Sequence, residues 1–67
     1  MSIAKVIEIS AGSSESFDDA ARQGVARAGE SVKDIRGAWV KDMSMIVEDG
    51  AIKEYRVDLK VTFVLQA

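Results

Sequence analysis

Two long extended segments, separated by the turn sequence Glu48-Asp49-Gly50, make up the second half of this chain. In the segment after the turn, the apolar residues are Tyr55, Val57, Leu59, Val61, Phe63 and Leu65, and they alternate with Arg56, Asp58, Lys60, Thr62, Val64 and Gln66. Period two over about twelve residues is typical of a β-strand, and Asp-Gly readily adopts the positive φ of a tight hairpin turn. Any fold of this chain must therefore contain an antiparallel hairpin with strands about twice the usual length.

The segment before the turn, from Ile35 to Glu48, alternates less regularly. Strict alternation would place Ile35, Gly37, Trp39, Lys41, Met43, Met45 and Val47 on one face, and Arg36, Ala38, Val40, Asp42, Ser44, Ile46 and Glu48 on the other. Both sets contain apolar residues. The pattern typical of a subunit interface is apolar residues interleaved with charged ones, here Ala38, Val40, Ile46 and Val64 among Arg56, Asp58 and Lys60.

The first half of the chain predicts one strand and one helix. Residues Ile3 to Ser10 alternate as in a strand, which Ala11-Gly12-Ser13-Ser14 should end. A helical stripe then follows at Phe17, Ala20, Ala21, Gly24, Val25, Ala28 and Val32. Ser16, with Asp19 three residues later, is a weaker form of the capping box, and the helix should end between Gly29 and Lys33. We predict one α+β domain over residues 1–67, with β-α-β-β order and a three-stranded antiparallel sheet wrapped around one helix.

The small residues of the helical stripe would allow the helix to pack closely against the sheet. Gly24 at its centre lowers helix propensity but would let a curved sheet approach the helix axis. The alternative is that Gly24 is only a tolerated weak point in the helix.

The size of the chain favours self-association. A domain of 67 residues buries only about 60% of the surface that its unfolded chain exposes, so a single small core is marginal. The chain has no cysteine for disulfide bonds, and one helix of about fifteen residues cannot cover the long hairpin. We therefore expect a homo-oligomer assembled through the strands.

The composition excludes several classes of function. Without histidine or cysteine, the usual zinc sites and most activated nucleophiles are absent, so we do not expect an enzyme. A net charge of −2 argues against nucleic acid as a partner. The chain shows no apolar run long enough for a membrane span and no signal-peptide pattern, so we expect no membrane partner and a cytoplasmic location.

Two groups of carboxylates are candidates for binding calcium or magnesium. One group precedes and begins the helix and comprises Glu15, Asp18 and Asp19, and the other lies near the hairpin turn and comprises Asp42, Glu48 and Asp49. Carboxylate oxygens are the ligands that these cations prefer, and symmetry copies in an oligomer could complete a site. A helix N-terminus and a turn also explain both groups without any cation.

The whole chain resembles the dodecin family. The resemblance is carried by Lys5-Val6-Ile7-Glu8-Ile9, the Gly12-Ser13-Ser14 break, Ser16-Phe17-Asp18-Asp19-Ala20-Ala21, Arg27-Ala28 and Glu54-Tyr55-Arg56-Val57-Asp58-Leu59-Lys60-Val61-Thr62-Phe63. It implies a homododecameric hollow shell that binds and stores a small molecule, typically a flavin such as FMN or riboflavin. In that family a tryptophan at the start of the second strand stacks on the flavin ring, and a glutamine in the third strand holds the ring's polar edge.

This sequence departs from the family pattern at both of those positions. Gly37 stands where the stacking tryptophan is expected, Trp39 where a glutamate is usual, and Arg56 where the glutamine is expected. Glycine offers no aromatic surface, so flavin binding in the usual mode is not expected. Trp39 would present a ring about 6.6 Å further along the strand, and Arg56 could hold a phosphate or carboxylate. Alternatively, Trp39 packs at a subunit contact and Arg56 pairs with Asp58, Glu54 or a neighbouring subunit.

Three functions therefore remain open from the sequence. The chain could form a shell that holds flavin or a similar flat molecule, an oligomer that binds calcium, or a structural assembly without a ligand.

Overall fold

A computed structural model describes residues 3–65 of the chain. Strand β1 spans Ile3–Ser13, helix α1 spans Phe17–Ser31, strand β2 spans Ile35–Glu48 and strand β3 spans Ala51–Leu65. The three strands form one antiparallel sheet in the order β1-β3-β2. The predicted β-α-β-β fold is thus confirmed, and within the described residues no helix is long and apolar enough to cross a membrane.

The core lies between α1 and the middle strand. Val57, Leu59 and Val61 of β3 are almost completely buried, and they pack against the small-residue face of the helix around Ala20. We call this side of the sheet the helix face, and the opposite side the open face. Period two along β3 therefore predicted the buried side of the strand correctly.

Gly24 is required for the close approach of helix and sheet. A Cβ atom built on Gly24 would lie 3.1 Å from both the Ala11 Cβ atom and the Leu59 Cδ1 atom. Such contacts are tighter than ordinary van der Waals packing. Of the two interpretations of this glycine, the structure supports close packing over a tolerated weak point.

The helix begins where the sequence predicted, with half of a capping box. Ser16 Oγ accepts a hydrogen bond of 2.9 Å from the Asp19 backbone N–H. The reciprocal bond is not formed: the Ser16 N–H donates to Ser13 Oγ at 3.4 Å, and the Asp19 carboxylate accepts from Ser13 Oγ and Gln23 Nε2, both at 2.6 Å. The helix ends at Ser31, inside the predicted interval, and the Val32 N–H donates to the Ala28 carbonyl at 2.9 Å.

The prediction for the end of β1 was wrong by three residues. The strand continues through Ser13, because Ala11, Gly12 and Ser13 pair in register with Val57, Arg56 and Tyr55 of β3. Pairing with a long neighbouring strand thus outweighs the turn tendency of these small residues.

Strict alternation along β2 was also wrong. The pairing with β3 shifts register between Ile35 and Gly37 and again between Val40 and Asp42. Each shift reverses which face the following residues occupy, because the side-chain period of a strand is two. Trp39 therefore pairs with Lys60 on the open face, whereas Met43 pairs with Val57 on the helix face.

The hairpin turn forms as predicted. Asp49 has a φ of 51° and Gly50 a φ of 77°, so both central residues adopt positive φ. Two such residues between antiparallel strands give the tight turn whose twist matches that of the strands.

Strand β2 carries an apolar stripe on the helix face that the helix does not cover. Val40, Met43 and Met45 pair with Leu59, Val57 and Tyr55 of β3, yet they remain 50%, 55% and 50% exposed. This happens because α1 packs over β1 and the middle strand β3 and leaves most of β2 uncovered. We call these three residues of β2 the uncovered stripe.

Candidate functional site

Gly37 and Trp39 lie on the open face near the start of β2. Gly37 pairs with Thr62 and Trp39 with Lys60, two positions of β3 that share one face of the sheet. The two register shifts of this region fall on either side of these residues, so the alternation between them is regular. Trp39 is 61% exposed, which leaves most of its ring available for contact.

The position of Gly37 has room for a side chain. A Cβ atom built there would meet only the Thr62 Oγ1 atom, at 3.4 Å, which is ordinary van der Waals contact. The Thr62 hydroxyl donates a hydrogen bond of 3.2 Å to the Gly37 carbonyl. In the dodecin pattern residue 37 is the tryptophan that stacks on the flavin. Here that position is open space next to the Gly37 carbonyl group.

Arg56 is held by two neighbours on the open face. Its Nη1 donates to Glu54 Oε2 at 2.8 Å, and its Nη2 donates to Ser10 Oγ at 2.9 Å. Gly12 provides the space for this ion pair, because a Cβ atom there would lie only 2.6 Å from Glu54 Oε1. Of the interpretations of Arg56, pairing with Glu54 is the arrangement observed within the chain.

One chain does not bring Trp39 and Arg56 together. Trp39 is opposite Lys60, and Arg56 lies four residues from Lys60 along β3, which corresponds to about 13 Å. A ligand contacting both side chains would need either that length or a second subunit.

A salt bridge crosses the open face next to Trp39. Lys41 Nζ lies 2.9 Å from Glu8 Oε1, so the Lys41 side chain reaches over β3 to the far strand. The hydrogen bond from Lys41 lowers the pKa of Glu8, and the same bond raises the pKa of Lys41. Sequence reasoning missed Glu8 and Lys60 as residues near Trp39 and Lys41, because their proximity depends on strand order and register.

Two of the three acidic residues near the N-terminus of α1, Asp18 and Asp19, bond to different partners. Asp19 accepts from Ser13 and Gln23, and Asp18 forms a salt bridge of 2.9 Å with Arg22. Glu15 is exposed in the short connection before α1. Asp18 and Asp19 of the predicted group are thus bonded within the chain, to Arg22 and Gln23 of α1 and to Ser13 of β1.

The acidic residues near the hairpin are spread along it. Glu48 pairs with Lys53 at 2.6 Å, Asp49 lies in the turn, and Asp42 lies directly opposite Asp58 on the open face. Among residues 3–65, the side chains of a single chain form no group of three or more suited to hold a metal ion.

A groove of about 630 Å³ runs between α1 and the edge strand β1. Its floor is mainly apolar, with Ile7, Ile9 and Ala11 from the strand and Gly24 and Ala28 from the helix. The groove and the uncovered stripe lie toward opposite edges of the sheet, since β1 and β2 are the two edge strands.

Comparison with known proteins gives a consistent result. The dodecin family model matches residues 3–66. A calcium dodecin of Mycobacterium tuberculosis is 43% identical over 63 residues, which cover 94% of this chain and 89% of that protein.

Solved structures give the same relationship. A structure of the Mycobacterium tuberculosis calcium dodecin, described as calcium chelating and as having a calcium-binding site, matches with a TM-score of 0.83 and 42% identity over 96% of this chain and 91% of that one. A dodecin from Streptomyces davaonensis matches with a TM-score of 0.94 and 29% identity over 98% and 97% of the two chains.

Proposed function

We propose, because the chain belongs to the dodecin family, that it assembles into a homododecameric shell that binds and stores a small ligand in the cytoplasm. Binding rather than catalysis is supported by the sequence, which has neither histidine nor cysteine.

The observation that carries this proposal is the uncovered stripe of β2. Val40, Met43 and Met45 are half exposed on the helix face, although Val57, Leu59 and Val61 on the same face of β3 are almost completely buried. Covering the exposed half of such a side chain contributes roughly 1 kcal/mol, and an assembly gains this repeatedly in every subunit. The apolar groove along β1 offers a second surface of the same character on the other edge of the sheet.

Multi-angle light scattering of the purified protein tests the assembly. We expect a mass about twelve times that of the chain, and a monomer at micromolar concentration would contradict the proposal. Met43→Lys places a charge in the uncovered stripe and should reduce the mass of the particle. Gly29→Lys is the matched control, because it adds the same side chain on the helix where nothing lies within 4 Å.

Flavin is one candidate ligand, but in a shifted position. Gly37 cannot supply the stacking ring, whereas the exposed ring of Trp39 lies on the same face two residues further along the strand. FMN or riboflavin would therefore contact Trp39 in place of the usual tryptophan. Absorbance of the undenatured protein tests this, since co-purified flavin colours the preparation yellow.

Calcium is the second candidate, and the 43% identity to a calcium dodecin favours it. Asp42 faces Asp58 directly across two paired strands, and like charges in that arrangement destabilise a sheet. A divalent cation between them would remove this repulsion, with further oxygen ligands from neighbouring subunits. Among the sequence candidates, Asp42 is the one whose surroundings fit this role best.

Thermal melting with calcium and with a chelator tests the second candidate. A cation that binds the folded state raises the melting temperature by mass action, and Asp42→Asn should remove most of that shift. Asp18→Asn is the matched control, because Asp18 is paired with Arg22 on the helix. Equal melting curves with and without calcium would end this candidate.

A further inference from the structure

We propose that Lys60, directly opposite Trp39 on the open face, makes this site selective for flat aromatic ligands that carry a negative charge. The proposal rests on the proposed small-ligand function and specifies the ligand class. The aromatic part of such a ligand contacts the Trp39 ring, and its phosphate or carboxylate group contacts the Lys60 ammonium.

The register of the hairpin places the two side chains together. Trp39 and Lys60 are paired residues of adjacent antiparallel strands, so their Cβ atoms lie about 5 Å apart on one face. Both side chains are exposed. A ring and an ammonium group at this separation can contact one ligand at the same time.

Among Lys41, Arg56 and Lys60 on the open face, Lys60 is the one available to a ligand. Arg56 is bonded to Glu54 and Ser10, and Lys41 is bonded to Glu8. Lys60 has no carboxylate within 4.0 Å among residues 3–65, and its neighbour Glu8 is already paired with Lys41. The structure therefore assigns the anion contact to Lys60, whereas the sequence had suggested Arg56.

The charge around Lys60 fixes the side from which an anion approaches. On one side lie the carboxylates of Asp42 and Asp58, which repel an anion. On the other side lie Gly37 and Thr62, which are uncharged and leave space above the sheet. The ring of an anionic ligand thus lies from Trp39 toward Gly37, where a Cβ atom added to Gly37 would be in ordinary contact with the Thr62 Oγ1 atom at 3.4 Å.

FMN and riboflavin form a matched pair of probes, because they share one ring system and differ by a phosphate group. Trp39 is the only tryptophan, so quenching of its fluorescence reports directly on this site. We expect the assembled protein to bind FMN about fivefold more tightly than riboflavin, which is what one exposed charge contact provides. The preference should fall as salt is added, because exposed charges are screened.

Substitution of Lys60 tests whether its charge produces the preference for FMN. Lys60→Gln should remove the preference and leave riboflavin affinity unchanged, whereas Lys60→Arg should retain the preference. Lys53→Gln is the matched control, because it removes the same charge from the hairpin end, where Lys53 pairs with Glu48.

Several results would overturn the proposal. The role of Lys60 is rejected if FMN and riboflavin bind with equal affinity, or if neither flavin binds. It is also rejected if Lys60→Gln weakens the affinity for FMN and for riboflavin by the same factor. Light scattering on the same samples shows whether the particle is intact, so failure of this proposal is distinguishable from failure of the proposed assembly.

Discussion

Replacing Gly24 by alanine should destabilise the protein, although alanine is the better helix former. In an exposed helix, glycine to alanine stabilises by about 1 kcal/mol. At Gly24 the added Cβ atom would lie 3.1 Å from Ala11 Cβ on a strand and 3.1 Å from Leu59 Cδ1 in the core. Adding a methyl group to a packed core costs about 1 to 3 kcal/mol, so the net effect should be a loss of up to about 2 kcal/mol.

Gly29 provides the matched control in the same helix. A Cβ atom there meets nothing within 4 Å, so Gly29→Ala should stabilise by about 0.5 to 1 kcal/mol. Because both substitutions gain the same helix propensity, the difference between them isolates the packing cost of about 1 to 3 kcal/mol. Urea unfolding at one protein concentration, followed by Trp39 fluorescence, measures both variants. If Gly24→Ala stabilises as much as Gly29→Ala, the close approach of helix and sheet is not a constraint.

Three further predictions concern the site, its electrostatics and the helix. Gly37→Trp combined with Arg56→Gln should raise riboflavin affinity at least about tenfold, or 1.4 kcal/mol, in a fluorescence titration, because a side chain fits at residue 37 and the stacking and amide groups return. The bond from Lys41 lowers the pKa of Glu8 below 4.5. The stability that the ionised Glu8 carboxylate contributes is therefore complete above pH 4.5 and is lost as the pH falls through the lowered pKa. Melting temperatures between pH 6 and 3 should therefore fall less steeply in Glu8→Gln. Ser16→Ala should cost about 1 kcal/mol in urea unfolding, and an unchanged midpoint would show that its cap bond is dispensable.

The sequence patterns predicted the elements that depend on local periodicity. The helix from Phe17 to Ser31, the turn at Asp49 and the buried face of β3 all follow from the spacing of apolar residues and from turn chemistry. The end of β1 and the faces of β2 could not be predicted this way. Both depend on which residues of β3 lie opposite, and a single sequence does not display that register.

In the candidate site, too, the sequence indicates single residues but not which residues the strand pairing brings together. Trp39 stands out in the sequence as an aromatic residue at an unusual position, and the structure leaves it exposed. Lys60 is 21 residues away in the chain and becomes its neighbour only through strand pairing. For Arg56 the sequence left open a ligand contact and pairing with a carboxylate, and in the structure its terminal nitrogens bond to Glu54 and Ser10.

The register shifts of the hairpin also have a consequence for aggregation. A long, exposed, apolar edge strand can pair with another chain and seed fibrils, for which six or seven regular residues suffice. In β2 the longest regular runs are Gly37–Val40 and Asp42–Ile46, of four and five residues. The extra residue is Arg36 and Lys41 at the two shifts that lie in β2, and Lys53 of β3 at the third, so each shift also carries a positive charge. The strand can thus present apolar side chains to a specific partner while resisting the open-ended stacking of flat strands.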